Sequence, residues 1–137
     1  MSIQTYLNFN GNCGEALEFY SQVFKTEKPK IMLYGDMPAN KAFPMTEETK
    51  KLVLHGELKI DGSTIMFSDT AQDMSVTFGN NINLIFTSKD EEEIKRIFNE
   101  LKTNGKVIME LQKTFWSKCY GYIIDKFGIG WQLSTEE

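Results

Sequence analysis

The chain is poor in the residues that build metal centres, with one histidine, His55, and two cysteines, Cys13 and Cys119, over 137 residues. A lone histidine excludes any site made of two imidazoles. The cysteines match no metal-binding spacing and are expected to remain thiols in a reducing compartment. A basic excess is also missing. The net charge of −4 argues against nucleic acid, which needs cationic side chains to displace counterions from phosphates, and equally against an anionic membrane surface. No apolar run approaches the roughly 18 residues of a spanning helix. The opening MSIQTYLNFN lacks the basic-then-apolar order of a signal peptide, so a cytoplasmic protein is expected. No G-x-G-x-x-G or G-x-x-x-x-G-K stretch is present to cradle a nucleotide phosphate.

What is present is a strand–helix–strands plan written twice. Ile3–Phe9 alternates, with Ile3, Thr5, Leu7 and Phe9 on one face and Gln4, Tyr6 and Asn8 on the other, as a strand with one buried face does. Asn12, with Glu15 three residues on, predicts a capped helix whose buried stripe is Leu17, Tyr20 and Phe24, supported by Ala16 and Val23. Pro29 stops it, and Lys30–Tyr34 reads as a short strand. Gly35–Lys51 reads as a long loop with room for one helical turn. Leu54–Ile60 and Ser63–Ser68 flank Asp61-Gly62, a hairpin signal. Thr70–Asn80 reads as the connection between the halves.

The plan then repeats. Asn81–Thr87 alternates like the first strand, Ser88 and Glu91 form an S-x-x-E capping box, and Ile94, Ile97, Phe98 and Leu101 make the stripe. Asn104-Gly105 is the helix stop. Lys106–Leu111, Cys119–Ile124 and Ile129–Ser134 read as three further strands. Leu17 matches Ile94 and Tyr20 matches Ile97, each pair 77 residues apart. The expectation is an α+β fold of two βαβββ-type modules, about 1–70 and about 80–137, forming one domain over 1–137. Two helices cannot cover both faces of eight strands, so one sheet face is left for a cavity or a partner.

Asn and Gln are poor strand residues, because their side chains compete with the ladder. Yet Gln4, Asn8, Asn81, Asn83 and Gln132 all fall in predicted strands, out of phase with the helix-facing residues. Ser68, His55 and Glu57 fall on the corresponding face of the first hairpin. Two readings stand: these groups face bulk solvent, or they line a polar pocket between the halves with Tyr6, Trp116 and Tyr120 as apolar walls. Trp131 shares phase with Ile129 and Leu133 and reads as core.

Three segments carry a family likeness: Tyr6–Tyr20 (YLNFNGNCGEALEFY), His55–Asp69 (HGELKIDGSTIMFSD) and Thr114–Ser134 (TFWSKCYGYIIDKFGIGWQLS). The last is the most specific, with F-W, Y-G and D-x-F-G-x-x-W in order. The chain resembles the vicinal-oxygen-chelate superfamily (glyoxalase I, bleomycin-resistance proteins, extradiol dioxygenases, fosfomycin-modifying enzymes), and within it the PhnB-like proteins. The resemblance implies paired modules forming a curved mixed sheet around a cleft, a small-molecule ligand in that cleft, and a homodimer. It also implies that metal-using members draw one ligand from each of four strands, here at Gln4, Ser68 (or Met66), Asn81 (or Asn83) and Gln132. These are neutral oxygens, which hold divalent transition metals weakly beside imidazole, thiolate or carboxylate. No cofactor or tightly held metal is therefore expected.

His55 and Glu57, two apart on one strand face, make a candidate general base and its orienting carboxylate; the alternative is a half-exposed strand histidine. Cys13, in the first turn of a helix, stands where unpaired N–H groups favour a thiolate, against the reading of a small residue filling a turn. Three functions follow as expectations: a metal-free small-molecule binder; a metal-dependent lyase, transferase or dioxygenase with Gln4 and either His55 or Glu57 as ligands; or a protein that sequesters a toxic compound. Family members also carry a ubiquinone-pathway methyltransferase label, which no Gly-rich loop after a parallel strand supports for S-adenosylmethionine. The Gly35–Lys51 loop, with Met37, Phe43 and Met45, is expected to fold over the cleft or across a dimer partner.

Overall fold

The computed structural model describes residues 1–38, 44–70 and 74–136. The chain divides into two compact units, Met1–Val76 and Thr77–Glu137. The first holds β1 (Thr5–Phe9), α1 (Cys13–Phe24), β2 (Lys30–Leu33), a 3-10 turn (Tyr34–Asp36), the single helical turn α2 (Glu47–Lys50), β3 (Val53–Ile60) and β4 (Ser63–Asp69). The second holds β5 (Leu84–Ser88), α3 (Glu91–Leu101), β6 (Lys106–Gln112), β7 (Tyr120–Ile124) and β8 (Gly130–Thr135). Phe43, expected in the loop before α2, lies outside the described residues.

Each unit forms a four-stranded mixed sheet, ordered β1-β4-β3-β2 in the first and β5-β8-β7-β6 in the second. In each, the opening strand pairs in parallel with the last, Phe9 beside Asp69 and Ser88 beside Thr135, and the remaining pairs are antiparallel. The sequence repeat is thus a repeat of topology, and the class is α+β. The Asp61-Gly62 hairpin forms with both residues at positive φ, 50° and 89°, the conformation a two-residue I′ turn demands.

One helix lies on one face of each sheet. Ala16, Leu17, Tyr20 and Val23 of α1 and Ile94, Ile97, Phe98 and Leu101 of α3 are buried, as their spacing predicts. The sheet carries a glycine beneath each helix. A Cβ at Gly56 of β3 would stand 2.6 Å from Leu17 Cδ1, and one at Gly121 of β7 would stand 2.8 Å from Phe98 Cε2. A side chain there would force Leu17 or Phe98 out of its place in the core.

Both predicted capping boxes are corrected by the structure. Asn12 makes no side-chain cap; the carboxylate of Asp69, at the end of β4, accepts from Gly11 N at 2.8 Å and Cys13 N at 3.0 Å instead. In the second unit the N-cap is Asp90, which accepts from Glu92 N and Glu93 N, while Ser88 Oγ accepts from Asp90 N one step earlier. Aspartate there is as good a cap as serine and carries charge suited to the helix dipole.

Asp69 is buried, and its other oxygen accepts from Val53 N at 2.9 Å, so one carboxylate ties β4 to the start of α1 and the start of β3. Thr135 plays the matching part in the second unit: its Oγ1 accepts from Lys118 N and Cys119 N and pairs with Ser117 Oγ at 2.9 Å. Asp125, also buried, closes the β7–β8 turn by accepting from Phe127 N, Ile129 N and Trp131 Nε1. Trp131 is therefore core, as its phase predicts, with its indole N–H satisfied.

Candidate functional site

With one helix on each sheet, the opposite phase of every strand is helix-free. Register places Tyr6 beside Met66 and Asn8 beside Ser68, and Met66 beside Glu57, so these side chains share a face with His55. In the second unit Ile85, Gln132, Tyr122 and Met109 form one row across β5-β8-β7-β6. The expected polar phase is therefore gathered onto a face within each unit.

On the first unit's face, Tyr6 Oη lies 3.2 Å from His55 Nδ1 and His55 Nε2 lies 3.3 Å from Glu57 Oε1. Beside them Ser68 Oγ donates to Asn8 Oδ1 at 2.9 Å. Tyr6 is 44% exposed and Met32, also on this face, is 51% exposed. The histidine is thus held from both nitrogens: a carboxylate on one fixes which nitrogen offers a lone pair to the other neighbour.

On the second unit's face, Tyr120 donates to Gln132 Oε1 at 2.8 Å and Tyr122 donates to Asn83 Oδ1 at 3.0 Å. The Trp116 ring stands edge-on to Tyr120 with centroids 5.4 Å apart, and Phe115 stands edge-on to Trp116 at 4.7 Å. Trp116 and Tyr120, expected as walls, are therefore in contact with each other and, through Tyr120, with Gln132. Burial raises the hydroxyl pKa of Tyr120, with neighbouring Tyr122 adding to the shift.

Two expected site residues are placed elsewhere. Asn81 is exposed and outside any strand, because β8 begins at Gly130 and its ladder with β5 starts at Leu84, leaving Asn81 no partner. Gln4 is exposed in the extended segment just before β1. Tyr122 was missed by sequence reasoning, although its phase with Tyr120 in β7 was the available signal. Asp69 was missed too; a carboxylate in phase with Ile65 and Phe67 at a strand end marks a buried anchor.

The four positions that the fold family gives to metal do not fit a metal here. Gln4 and Asn81 are exposed and outside strands, the Ser68 hydroxyl is committed to Asn8, and Gln132 Oε1 is committed to Tyr120. Neutral oxygens so engaged leave a divalent cation uncompensated. Among the described residues, no three His, Cys, Asp or Glu side chains gather as a metal-holding group.

Cys13 is not poised as a thiolate. Burial and the Asp69 carboxylate beside it push its pKa far up, since Asp69 already occupies the helix N-terminal N–H groups. Cys119 is buried just before β7, and burial raises its pKa also, with Glu91 adding to the shift. No helix among the described residues is long and apolar enough to cross a membrane.

Two mixed βαβββ sheets, each with one helix packed on a face, are the architecture of the vicinal-oxygen-chelate superfamily. The fold is shared with the genomically encoded fosfomycin resistance protein FosX of Listeria monocytogenes, at TM-score 0.66 and 13% identity over 100% of this chain and 93% of that one. The family model described as 3-demethylubiquinone-9 3-methyltransferase matches residues 1–134, and the chain belongs to that family, the PhnB-like proteins. It is 32% identical to Protein YjdN of Escherichia coli strain K12, over 98% of this chain and 95% of that protein. A putative 3-demethylubiquinone-9 3-methyltransferase, PhnB protein, from Bacillus cereus superposes at TM-score 0.79 with 29% identity, covering 99% of this chain and 100% of that one.

Proposed function

We propose that this PhnB-like protein binds a small molecule on the helix-free faces of its sheets, through neutral hydrogen-bonding groups and aromatic rings, without a resident metal. The observation that carries this reading is the pairing of amides with hydroxyls on those faces: Asn8 with Ser68, Gln132 with Tyr120 and Asn83 with Tyr122. Polar side chains serving only solvation need no such mutual orientation. Fixing them beforehand lowers the entropy a ligand must overcome. Exposed apolar side chains on the same faces, Tyr6, Met32, Ile85 and Trp116, supply the contact area of a binding surface.

The methyltransferase activity in the family's description is not carried over. The junction of a parallel strand with a helix N-terminus is where other folds hold the anionic group of a cofactor. Here the Gly11 and Cys13 N–H groups at that junction are already taken by Asp69. A second reading, catalysis by proton transfer, is favoured by one observation alone, the held histidine between Tyr6 and Glu57.

We place the protein in the cytoplasm as a homodimer. Supporting the dimer, the outermost strands β2 and β6 expose Ile31 at 45% and Ile108 at 46%, and apolar edges of this kind invite pairing.

A fragment screen read by amide NMR tests the binding role. Perturbations are expected at Tyr6, Asn8, Trp116 and Gln132. Fragments that shift only the solvent side of α1 and α3 would overturn it.

A further inference from the structure

We infer that the helix-free face of the second unit selects flat, conjugated ligands whose rim carries carbonyl or carboxylate oxygens; this rests on the binding role proposed above and names its ligand class. The argument starts from how the two amides are oriented. An amide has an acceptor end and a donor end. Gln132 Oε1 takes the Tyr120 hydroxyl and Asn83 Oδ1 takes the Tyr122 hydroxyl. Both acceptor ends are thereby used. The NH2 groups of Gln132 and Asn83 make no hydrogen bond among the described residues, so what the face offers a ligand is hydrogen-bond donors.

The tyrosines fit this orientation. Burial raises the Tyr120 pKa, so its hydroxyl keeps the proton that it donates to Gln132 Oε1. Asn83 Oδ1 packs against Gly130, where a Cβ would collide with it, so this amide sits in a slot only glycine leaves open. The row Ile85–Gln132–Tyr122–Met109 contains no charged side chain. Along that row a cationic ligand would find donors and no carboxylate, whereas an acceptor oxygen would find two NH2 groups; the Glu136 carboxylate, further along the same phase, already accepts from Thr87 Oγ1 at 2.7 Å.

The aromatic side of the site sets the shape. Trp116 is 49% exposed and Phe115 is 96% exposed, yet Phe115, Trp116 and Tyr120 form a chain of edge-on contacts reaching Gln132. Large rings left open beside oriented donors suit a planar conjugated body with oxygens at its edge.

The test uses the full chain, labelled with nitrogen-15, and three probes: benzoate (flat, acceptor), acetate (acceptor only) and benzylamine (flat, cationic donor). Benzoate is expected to shift the Gln132 and Asn83 NH2 signals and the Trp116 indole N–H. Acetate is expected to shift the NH2 signals alone and more weakly, and benzylamine none of them. Gln132→Met removes the donor without adding charge, and Gln132→Glu replaces it by a carboxylate that still accepts from Tyr120. Each is expected to weaken benzoate roughly tenfold or more, the share of one hydrogen bond to a charged group. Asn83→Asp provides the same test from the neighbouring strand should a Gln132 variant lose the native spectrum. Benzylamine binding in place of benzoate, or benzoate binding retained by Gln132→Met, would overturn the ligand class and leave the binding role standing. Failure of benzoate to shift these residues would overturn the ligand class, and only the failure of every fragment to shift either helix-free face would overturn the binding role as well.

Discussion

Asp69 accepts a hydrogen bond from the backbone N–H of Val53 at 2.9 Å, with its other oxygen on Gly11 N and Cys13 N. A buried carboxylate so placed neutralises three main-chain donors that the sheet and helix leave unpaired. Asp69→Asn keeps one acceptor and turns an NH2 toward an N–H, so it is expected to cost about 1–3 kcal/mol in urea unfolding. Asp69→Ala orphans all three donors and should cost more than the asparagine variant. Equal stability of wild type and Asp69→Ala would remove the anchor role.

Cys13 gives the stability of the first unit a pH dependence. Burial and then Asp69 push its native pKa far above the ordinary 9.0, so the native state holds the proton more tightly than the unfolded chain. The contribution is fully present below the ordinary value. It is lost as pH rises beyond that, because the unfolded thiol ionises first and draws the equilibrium toward unfolding. Urea midpoints measured from neutral to alkaline pH are expected to fall less steeply for Cys13→Ala than for wild type. The same burial predicts that a thiol reagent labels Cys13 only in denaturant.

The main features of the fold were legible because both of its periods are strong. The alternation in Ile3–Phe9 and the stripes Leu17–Tyr20 and Ile94–Ile97–Phe98 state which face of each element is buried, and Asp61-Gly62 fixes one hairpin's register. The caps were misread for a physical reason. The group that satisfies the start of α1 comes from Asp69, the far end of another strand, and no local pattern announces it. Asn81 was misread because alternation continues past the point where β8 can provide a ladder partner. For the candidate site, the sequence placed Gln132, Asn8 and Ser68 on the helix-free phase and named Tyr120 as a wall. It could not say which amide would meet which hydroxyl, since Asn8 and Ser68 become neighbours only through the parallel β1–β4 pair.

The single histidine makes the Tyr6–His55–Glu57 contact directly readable. With Nε2–H donating to Glu57 Oε1, the Nδ1 lone pair is left for the Tyr6 hydroxyl, 3.2 Å away. Long-range nitrogen-15 spectra of the imidazole at a pH where it is neutral are expected to show the Nε2–H form dominant. Tyr6→Phe should move the Nδ1 resonance and leave that form in place, whereas Glu57→Gln should bring the two tautomers nearer to equal population. An Nδ1–H form in the wild type would reverse the donor order and end the case for His55 as a base toward Tyr6.

Metal binding discriminates the neutral site from its metal-using counterparts in the superfamily. Ser68 and Gln132 stand on the helix-free faces, yet both have their oxygens engaged, and neither brings charge. Equilibrium dialysis against zinc, nickel, manganese and iron is expected to leave no tightly bound equivalent at neutral pH. Residual binding should be weak and should centre on His55, so that His55→Ala removes it while the Trp116 and Gln132 NMR signals stay unmoved. One tight equivalent that shifts the Gln132 NH2 signals would mean that the amide turns its oxygen to the metal and gives up the Tyr120 contact. In that event the donor face would not exist, and the chemistry assigned to these residues would pass to a cation.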